Sequence, residues 1–408
     1  MLIIYRILIN IILILSPFII FIRLLKKKED LKRFKEKLCF FSNEKKKGKI
    51  IWFHGASVGE LQSIIPLLEK FQKNKNVSQI LITSNTISSL KIISSIKLKK
   101  VIHQFFPIDV NFFSNKFLDH WKPSAAFFID SEVWPNMILN LKKKKIPIVL
   151  INGRITKKSF IRWKFFKKFS YNIFSKFNLC LTSNSETKNF LNKLGAQKVI
   201  KIGNLKFSQL EKNSISINQN LKRFIKSKKV WCASSTHYNE EELCGQVHKQ
   251  LKQKYKNLLT IIIPRHINRA SSIKESLNKE GLKVHLHQPN TKIKNDIDIY
   301  VVNAYGQTKS FYNYCKNVFL GGSIINHGGQ NPLEAARFGC NILHGPNVSN
   351  FREIYQFLNQ NKISFKINKS KIMSRTLIKL LSNKKNSNKI KNKINLIGKK
   401  ILNDSYRE

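Results

Sequence analysis

A chain of 408 residues can bury a large core, and that length favours two or three domains. Its formal charge of +51 at pH 7 is extreme, but the lysines run along the whole chain, mixed with Asn and Ile. They form no single patch beside an aromatic platform or recognition helix, which argues against dedicated nucleic-acid binding. Lys, Asn and Ile share AT-rich codons, so compositional bias is credited with the excess first, attraction to an anionic membrane second, and nucleic acid last. The six cysteines contain no CxxC pair; that spacing fits neither a zinc site nor a disulfide framework and suits a reducing cytosol.

In chain order, the first element is the uncharged run between Arg6 and Arg23. As a helix it extends about 24 Å, just short of a hydrocarbon core unless both arginines snorkel. Lys26, Lys27 and Lys28 flank it, and the positive-inside bias places the following chain in the cytoplasm. No small-residue cleavage site follows, so the segment (1–25) reads as an anchor holding a body on the inner membrane surface.

Beyond it, short apolar runs alternate with amphipathic stretches. Expected strands are Lys49–Phe53, Gln79–Thr83, Val101–Phe106, Ala125–Asp130, Pro147–Ile151, Asn178–Thr182 and Lys198–Ile202. The pattern resumes at Lys229–Ala233, Leu258–Ile263, Lys283–His287, Ile297–Val302, Val318–Leu320 and Asn341–His344. Strand, crossover helix and strand in succession imply parallel sheets covered on both faces. Two such runs imply two doubly wound α/β domains, 40–210 and 226–385, joined within the hydrophilic stretch Ser208–Lys226.

Ligands of open parallel sheets sit beyond the carboxyl ends of strands, and the unusual motifs of this chain fall there. Glu60 follows His54-Gly55-Ala56-Ser57-Val58-Gly59 in the first turn of a helix. It is either a general base for a substrate hydroxyl or a glutamate that only favours the helix end. Glu132, after Ile129-Asp130-Ser131, has three readings: holding a substrate hydroxyl, fixing a cation, or pairing with Glu60 as acid and base. Arg154 and Lys206 bring positive charge to two further strand ends. In the second half, Ala233-Ser234-Ser235-Thr236-His237 precedes a helix opened by Glu240-Glu241-Glu242. Its hydroxyls read as helix caps or phosphate ligands. Arg265 in Pro264-Arg265-His266 suits a phosphate or base. Asn303-Ala304-Tyr305-Gly306-Gln307 closes another strand.

The densest signal is Gly321-Gly322-Ser323 followed by His327-Gly328-Gly329-Gln330-Asn331-Pro332-Leu333-Glu334. A buried strand enters it and a helix, Asn331 to Phe338, leaves it. The glycines let backbone approach a ligand, and unpaired N–H groups at such a turn make an anion site. Glu334 is placed to accept from a ribose hydroxyl. Together these features point to a nucleotide or nucleotide-sugar site.

Taken in order, HGASVGE, SEVWPN, NGRIT, GNLKF, SSTH, PRH, GGS, GGQNPLEAA and GPNVSNFRE resemble the 3-deoxy-D-manno-octulosonic acid (Kdo) transferases of lipid A assembly. The match runs from about residue 50 to residue 355. The resemblance implies a GT-B fold, two Rossmann-like domains facing across a cleft, with CMP-Kdo held mainly by the second. It implies inverting transfer of Kdo from CMP-Kdo to a lipid A precursor, without a metal or other cofactor. By it Glu60 is the general base, and Glu132 and Lys206 support the transition state. Pro264, Arg265, Tyr305, Gly306, Gln307 and Asn331 through Glu334 bind CMP. Two departures stand out: Gln307 replaces a usually acidic residue, and Gly55 replaces bulkier small residues. Rival readings are another membrane-associated GT-B transferase or a sugar-nucleotide epimerase, a non-catalytic basic membrane or nucleic-acid binding protein, and an inactive descendant.

Overall fold

The computed structural model describes residues 1–96, 98–209, 217–287, 293–304, 306–382 and 387–408. Helix α1 (Leu2–Leu25) comes first. The first sheet contains β1 (Ile50–His54), β2 (Gln79–Ser84), β3 (Val101–Phe105), β4 (Ala125–Ile129), β5 (Ile148–Gly153), β6 (Leu179–Thr182) and β7 (Val199–Lys201). The second contains β8 (Lys229–Thr236), β9 (Leu258–Pro264), β10 (Val284–Leu286), β11 (Ile299–Val301), β12 (Asn317–Leu320), β13 (Asn341–His344) and β14 (Ser364–Lys366). Each of the expected strands is present. β14 is an addition, three residues at a sheet edge with no apolar run to announce it.

The strand orders are β3-β2-β1-β4-β5-β6-β7 and β10-β11-β9-β8-β12-β13-β14. Every pairing is parallel, with registers such as Trp52 beside both Leu81 and Ala126. Helices cover both faces because parallel strands need long crossovers and leave no face for water. The central strands are accordingly apolar on both sides: β2 and β9 are buried at every position. In the first unit Trp52 and Phe128 of the sheet, and Phe117 and Trp121 of the helix Asn111–Trp121, are fully buried. In the second, Trp231, Phe319 and Leu343 form the corresponding packing.

By internal contacts the chain divides into two units, Met1–Leu210 with Ile397–Glu408, and Glu211–Leu396. In each, the first strand lies centrally and the chain winds first to one edge, then to the other. The direction reverses between β1 and β4 in the first sheet and between β8 and β12 in the second. Loops diverge at such points and leave a crevice beyond the carboxyl ends.

One helix is shorter than expected. Instead of Asn331 to Phe338 it spans Leu333–Arg337. The Asn331 side-chain oxygen accepts from the Leu333 N–H at 3.1 Å, closing a turn that keeps Asn331 outside the helix. Gly339, with φ 75°, ends it.

Candidate active site

At the β1/β4 reversal, helix α2 (Val58–Lys73) begins beside the end of β1. Ser57 is its N-cap, and Glu60 closes a capping box with it. The Glu60 Oε2 accepts from the Ala56 N–H at 2.8 Å, and Ser57 Oγ donates to Oε1 at 2.8 Å. The capping role is therefore real, and it fixes the carboxylate at the sheet end. Partial burial pushes the Glu60 carboxyl above its usual range. The Ser57 hydroxyl opposes that rise, and the nearby Glu132 charge adds to it.

Glu132 is held differently. Its Oε2 accepts from Trp134 Nε1 at 2.9 Å and lies 3.2 Å from His54 Nε2. The fully buried His54 places Nδ1 2.9 Å from Thr83 Oγ1, which also accepts from Trp52 Nε1 at 2.9 Å. The Trp134 Nε1–H also lies 3.0 Å from His54 Nε2, so one indole N–H is shared between the imidazole and the carboxylate. Burial raises the Glu132 carboxyl, but His54 and Trp134 outweigh it and hold it below the ordinary range. The two carboxylates of one crevice are thus pushed apart, Glu60 upward and Glu132 downward.

Asp130 lies between them in sequence and in field. It is a non-glycine residue with φ 61°, and Asn152 on the adjacent strand has φ 54°. Left-handed backbone at two neighbouring strand ends is costly and aims these side chains out of the regular pleat. Asn152 Nδ2 donates to Asp130 Oδ1 at 3.2 Å, and its Oδ1 accepts from the Leu205 N–H at 2.9 Å. That tie brings the turn carrying Lys206 to β5. Burial pushes the Asp130 carboxyl up to about 6; Lys206 and Arg154 oppose the shift, while Glu60 and Glu132 add to it. Glu60, Glu132 and Lys206 therefore share one electrostatic environment in the first unit.

The second unit corrects an expectation. The N–H groups of the Gly321-Gly322-Ser323 turn are not open to an external anion; the buried Glu240 carboxylate takes them. Gly322 N–H donates to Oε2 at 2.7 Å, and Ser323 and Ile324 donate to Oε1 at 3.1 and 3.0 Å. Nor does Gly321 serve a ligand: a Cβ there would overlap the carbonyl of Ser235 and the backbone of Thr236. The glycine permits β12 to pack against β8 at the reversal, where Ser235 adopts φ 54° in a local break of register. The hydroxyls before the next helix are not its cap either. Glu240 accepts from the His237 N–H at 3.0 Å, while the side chain of the N-cap residue, Asn239, makes no capping hydrogen bond.

Above this turn lies a cluster of imidazoles. The His237 ring is 4.5 Å from that of His327 and 6.1 Å from that of His266. Burial lowers His237 to about 4, and His327, His266, Arg265 and Arg269 push the same way. An anion bound there would relieve that mutual repulsion. Arg265 is exposed, directly after buried Pro264 at the end of β9, and its N–H donates to the Thr236 carbonyl at 3.0 Å. Arg269 instead makes a bidentate pair with Glu241 at 2.9 and 3.2 Å. Gly306 has φ 78°, and Gln307 precedes the short helix Thr308–Tyr312. Tyr305 lies outside the described residues. Pro332 and Leu333 are packed inside, and Glu334 pairs with Lys309 at 3.4 Å.

Sequence reasoning missed the roles of His54, Asp130, Trp134 and Glu240. Asp130 offered a local signal, a charged residue closing an apolar run. Glu240 looked like an ordinary acidic first turn, and the partners of His54 lie 29 and 78 residues away. Among the described residues, no group of three or more His, Cys, Asp or Glu is arranged to hold a metal.

Residues 32–209 match the family model described as 3-Deoxy-D-manno-octulosonic-acid transferase (kdotransferase). The chain is 33% identical over 383 residues to 3-deoxy-D-manno-octulosonic acid transferase of Rickettsia bellii (strain RML369-C), covering 92% of this chain and 89% of that protein. The Haemophilus influenzae enzyme of the same name (strain ATCC 51907 / DSM 11121 / KW20 / Rd) is 27% identical over 347 residues, covering 83% and 80%. Among solved structures, UDP-GlcNAc 2-epimerase from Neisseria meningitidis bound to UDP-GlcNAc superposes with TM-score 0.58 at 14% identity, covering 88% of this chain and 100% of that one. The structural likeness concerns fold alone, two Rossmann-like units of the GT-B class.

Proposed function

The chain belongs to the 3-deoxy-D-manno-octulosonic acid (Kdo) transferase family, and from that premise we propose that it moves Kdo from CMP-Kdo to a lipid A precursor (lipid IVA). Glu60 is the general base. It takes the proton of the acceptor hydroxyl while that oxygen bonds to the anomeric carbon. The bond from that carbon to the phosphate oxygen breaks, and its electron pair leaves with CMP. A single displacement of this kind inverts the anomeric centre.

The observation that carries this reading is the opposed tuning of Glu60 and Glu132 at one sheet reversal. A base works best with its pKa near working pH, and Glu60 is shifted that way. Glu132, kept ionised by His54 and Trp134, favours positive charge developing on the sugar, and Lys206 balances the carboxylates around it. The donor is assigned to the second unit, where Arg265 offers charge to the phosphate, the His237 ring offers it a neutral imidazole, and Gly306, Gln307, Asn331 and Glu334 offer polar groups to the nucleotide. In this reading the charge on departing CMP is met by side chains, with no metal or other cofactor assigned. The body works at the cytoplasmic side of the inner membrane, where an amphiphilic acceptor resides.

The test is mass-resolved Kdo transfer from CMP-Kdo to a tetra-acylated precursor, comparing wild type with Glu60→Gln and Glu132→Gln. Glutamine still completes a capping box, so Glu60→Gln stays folded. It is expected to lose about 10²- to 10⁴-fold in rate with CMP binding retained. Wild-type turnover by Glu60→Gln would end the base assignment.

A further inference from the structure

We propose that α1 does not cross the bilayer but lies flat in one leaflet, and that it shares this membrane face with the helix pair Lys157–Phe165 and Lys167–Phe174. The inference is independent of the transfer chemistry. By length and composition α1 is able to span a membrane, so its seating on the body decides the matter.

Tyr5, Ile9, Leu13, Ser16 and Ile20 are the shielded positions of a seam with steps of four, four, three and four residues. Such spacing is one narrow stripe of a helix, and it extends from the first turn to the last. Both ends are tied to the same unit. Tyr5 Oη donates to Asp109 Oδ2 at 2.7 Å, and Arg6 Nε donates to Asn136 Oδ1 at 3.0 Å. At the other end Arg23 pairs with the buried Glu29, which Lys37 also engages. Asp109 is no surface group: it also accepts the N–H groups of Asn136 and Met137 at 3.0 and 2.8 Å. A helix crossing about 30 Å of hydrocarbon must place its ends on opposite sides. With both ends bonded to one charged body, crossing would break these bonds or draw the body into lipid.

The outward face of α1 is apolar, with Ile3 73%, Ile14 76% and Phe18 66% exposed. Its apolar character continues onto the body beside the first turn. Phe112, 70% exposed, follows Asp109 by three residues. The Tyr5 ring is 6.5 Å from Phe169, and one turn before Phe169 stand Phe166 and the 81% exposed Phe165. Charge complementarity names the occupant. Lys157, Lys158, Arg162, Lys164, Lys167 and Lys168 are all exposed around those aromatics, and no acidic residue occurs from Val133 to Ser185. Aromatic tips collared by lysines match an anionic leaflet, where rings enter the acyl boundary and ammonium groups reach headgroup phosphates.

The experiment uses the full chain in oriented membrane vesicles, with one epitope tag before Met1 and another after Glu408. A second sample carries Phe165→Cys labelled with an environment-sensitive fluorophore; the native cysteines are all buried. An in-plane α1 exposes both tags to protease from the same side. The probe at 165 is then blue-shifted and quenched by spin-labelled lipid in anionic vesicles, more than in zwitterionic ones. Tags on opposite sides would overturn the proposal in favour of a spanning helix. A probe that stays accessible to aqueous iodide would remove the helix pair from the membrane face. A probe shielded without lipid quenching, with copies cross-linking through it, would assign the face to self-association instead.

Discussion

Glu60 and Glu132 are the same side chain in two surroundings, and their difference is the chemistry of the first unit. A half-buried carboxylate facing another charge is raised, whereas one given two N–H donors is lowered. Asp130 shows what such an arrangement costs. Its folded-state value of about 6 lies above the ordinary 3.8, so the native chain binds a proton that the unfolded chain has released. Stability attributable to this group is therefore present at low pH and is lost as pH rises from near 4 through about 6. Asp130→Asn removes the titration, and Asn tolerates the left-handed backbone. The urea midpoint of this variant is expected to gain on wild type between pH 4 and pH 7. A constant difference across that range would show that Asp130 does not titrate this way. Glu132 was legible because it follows the close of an apolar run, and Glu60 because it opens the helix after one. The hydrogen bonds that tune them were not, since His54 and Glu132 are 78 residues apart.

Among the elements, periodicity gave away the strands and most helices, because burial on both faces demands unbroken apolar runs. Loops were a different matter. The glycine-rich turn after β12 carries the composition of an anion cradle, yet its N–H groups are taken by Glu240, 82 residues earlier than Gly322. A carboxylate from the chain itself does there what a ligand's phosphate was expected to do. Glu240→Gln keeps one acceptor oxygen but replaces the other by an NH₂ donor facing N–H groups. Each N–H left unpaired costs about 1–3 kcal/mol. Hydrogen exchange at residues 321–324 should speed markedly, with loss of CMP binding and an earlier urea transition of the second unit. Unchanged exchange would mean that the turn holds itself. The loops at both sheet reversals share one device, left-handed non-glycine residues at strand ends: Asp130 and Asn152 in the first sheet, Ser235 in the second.

At the scale of the whole molecule, the excess of 74 Lys and Arg over 23 Asp and Glu leaves few acidic groups, and those few are concentrated in structure. Glu29, Glu36, Asp109, Glu240, Glu241 and Asp298 are buried, each holding backbone or cations in place. The lysines are mostly solvated, so charge count describes the surface and not the fold. The cysteines make the same point from inside. All are buried and unpaired, acting as small apolar residues. Burial pushes Cys39, Cys180 and Cys340 each up to about 12, so their thiolates are scarce at neutral pH. The native chain should react with a thiol reagent only slowly. The denatured chain should release six thiols whether or not a reductant was present. A lower denatured count without reductant would reveal a disulfide.

The sequence by itself determined the α/β class, two successive parallel sheets and the strand ends that carry chemistry, since these follow from local alternation of apolar runs and turn residues. The family resemblance rested on motif order along the chain, which is also a one-dimensional property. Tertiary structure alone decided which groups meet: His54 with Glu132 and Thr83, Glu240 with the glycine turn, Tyr5 with Asp109. It also placed β11 between β9 and β10 and laid α1 along the body. The reason is physical. Burial periodicity is written within a few neighbouring residues, whereas a hydrogen-bond partner is chosen by topology from everything the fold brings within about 3 Å.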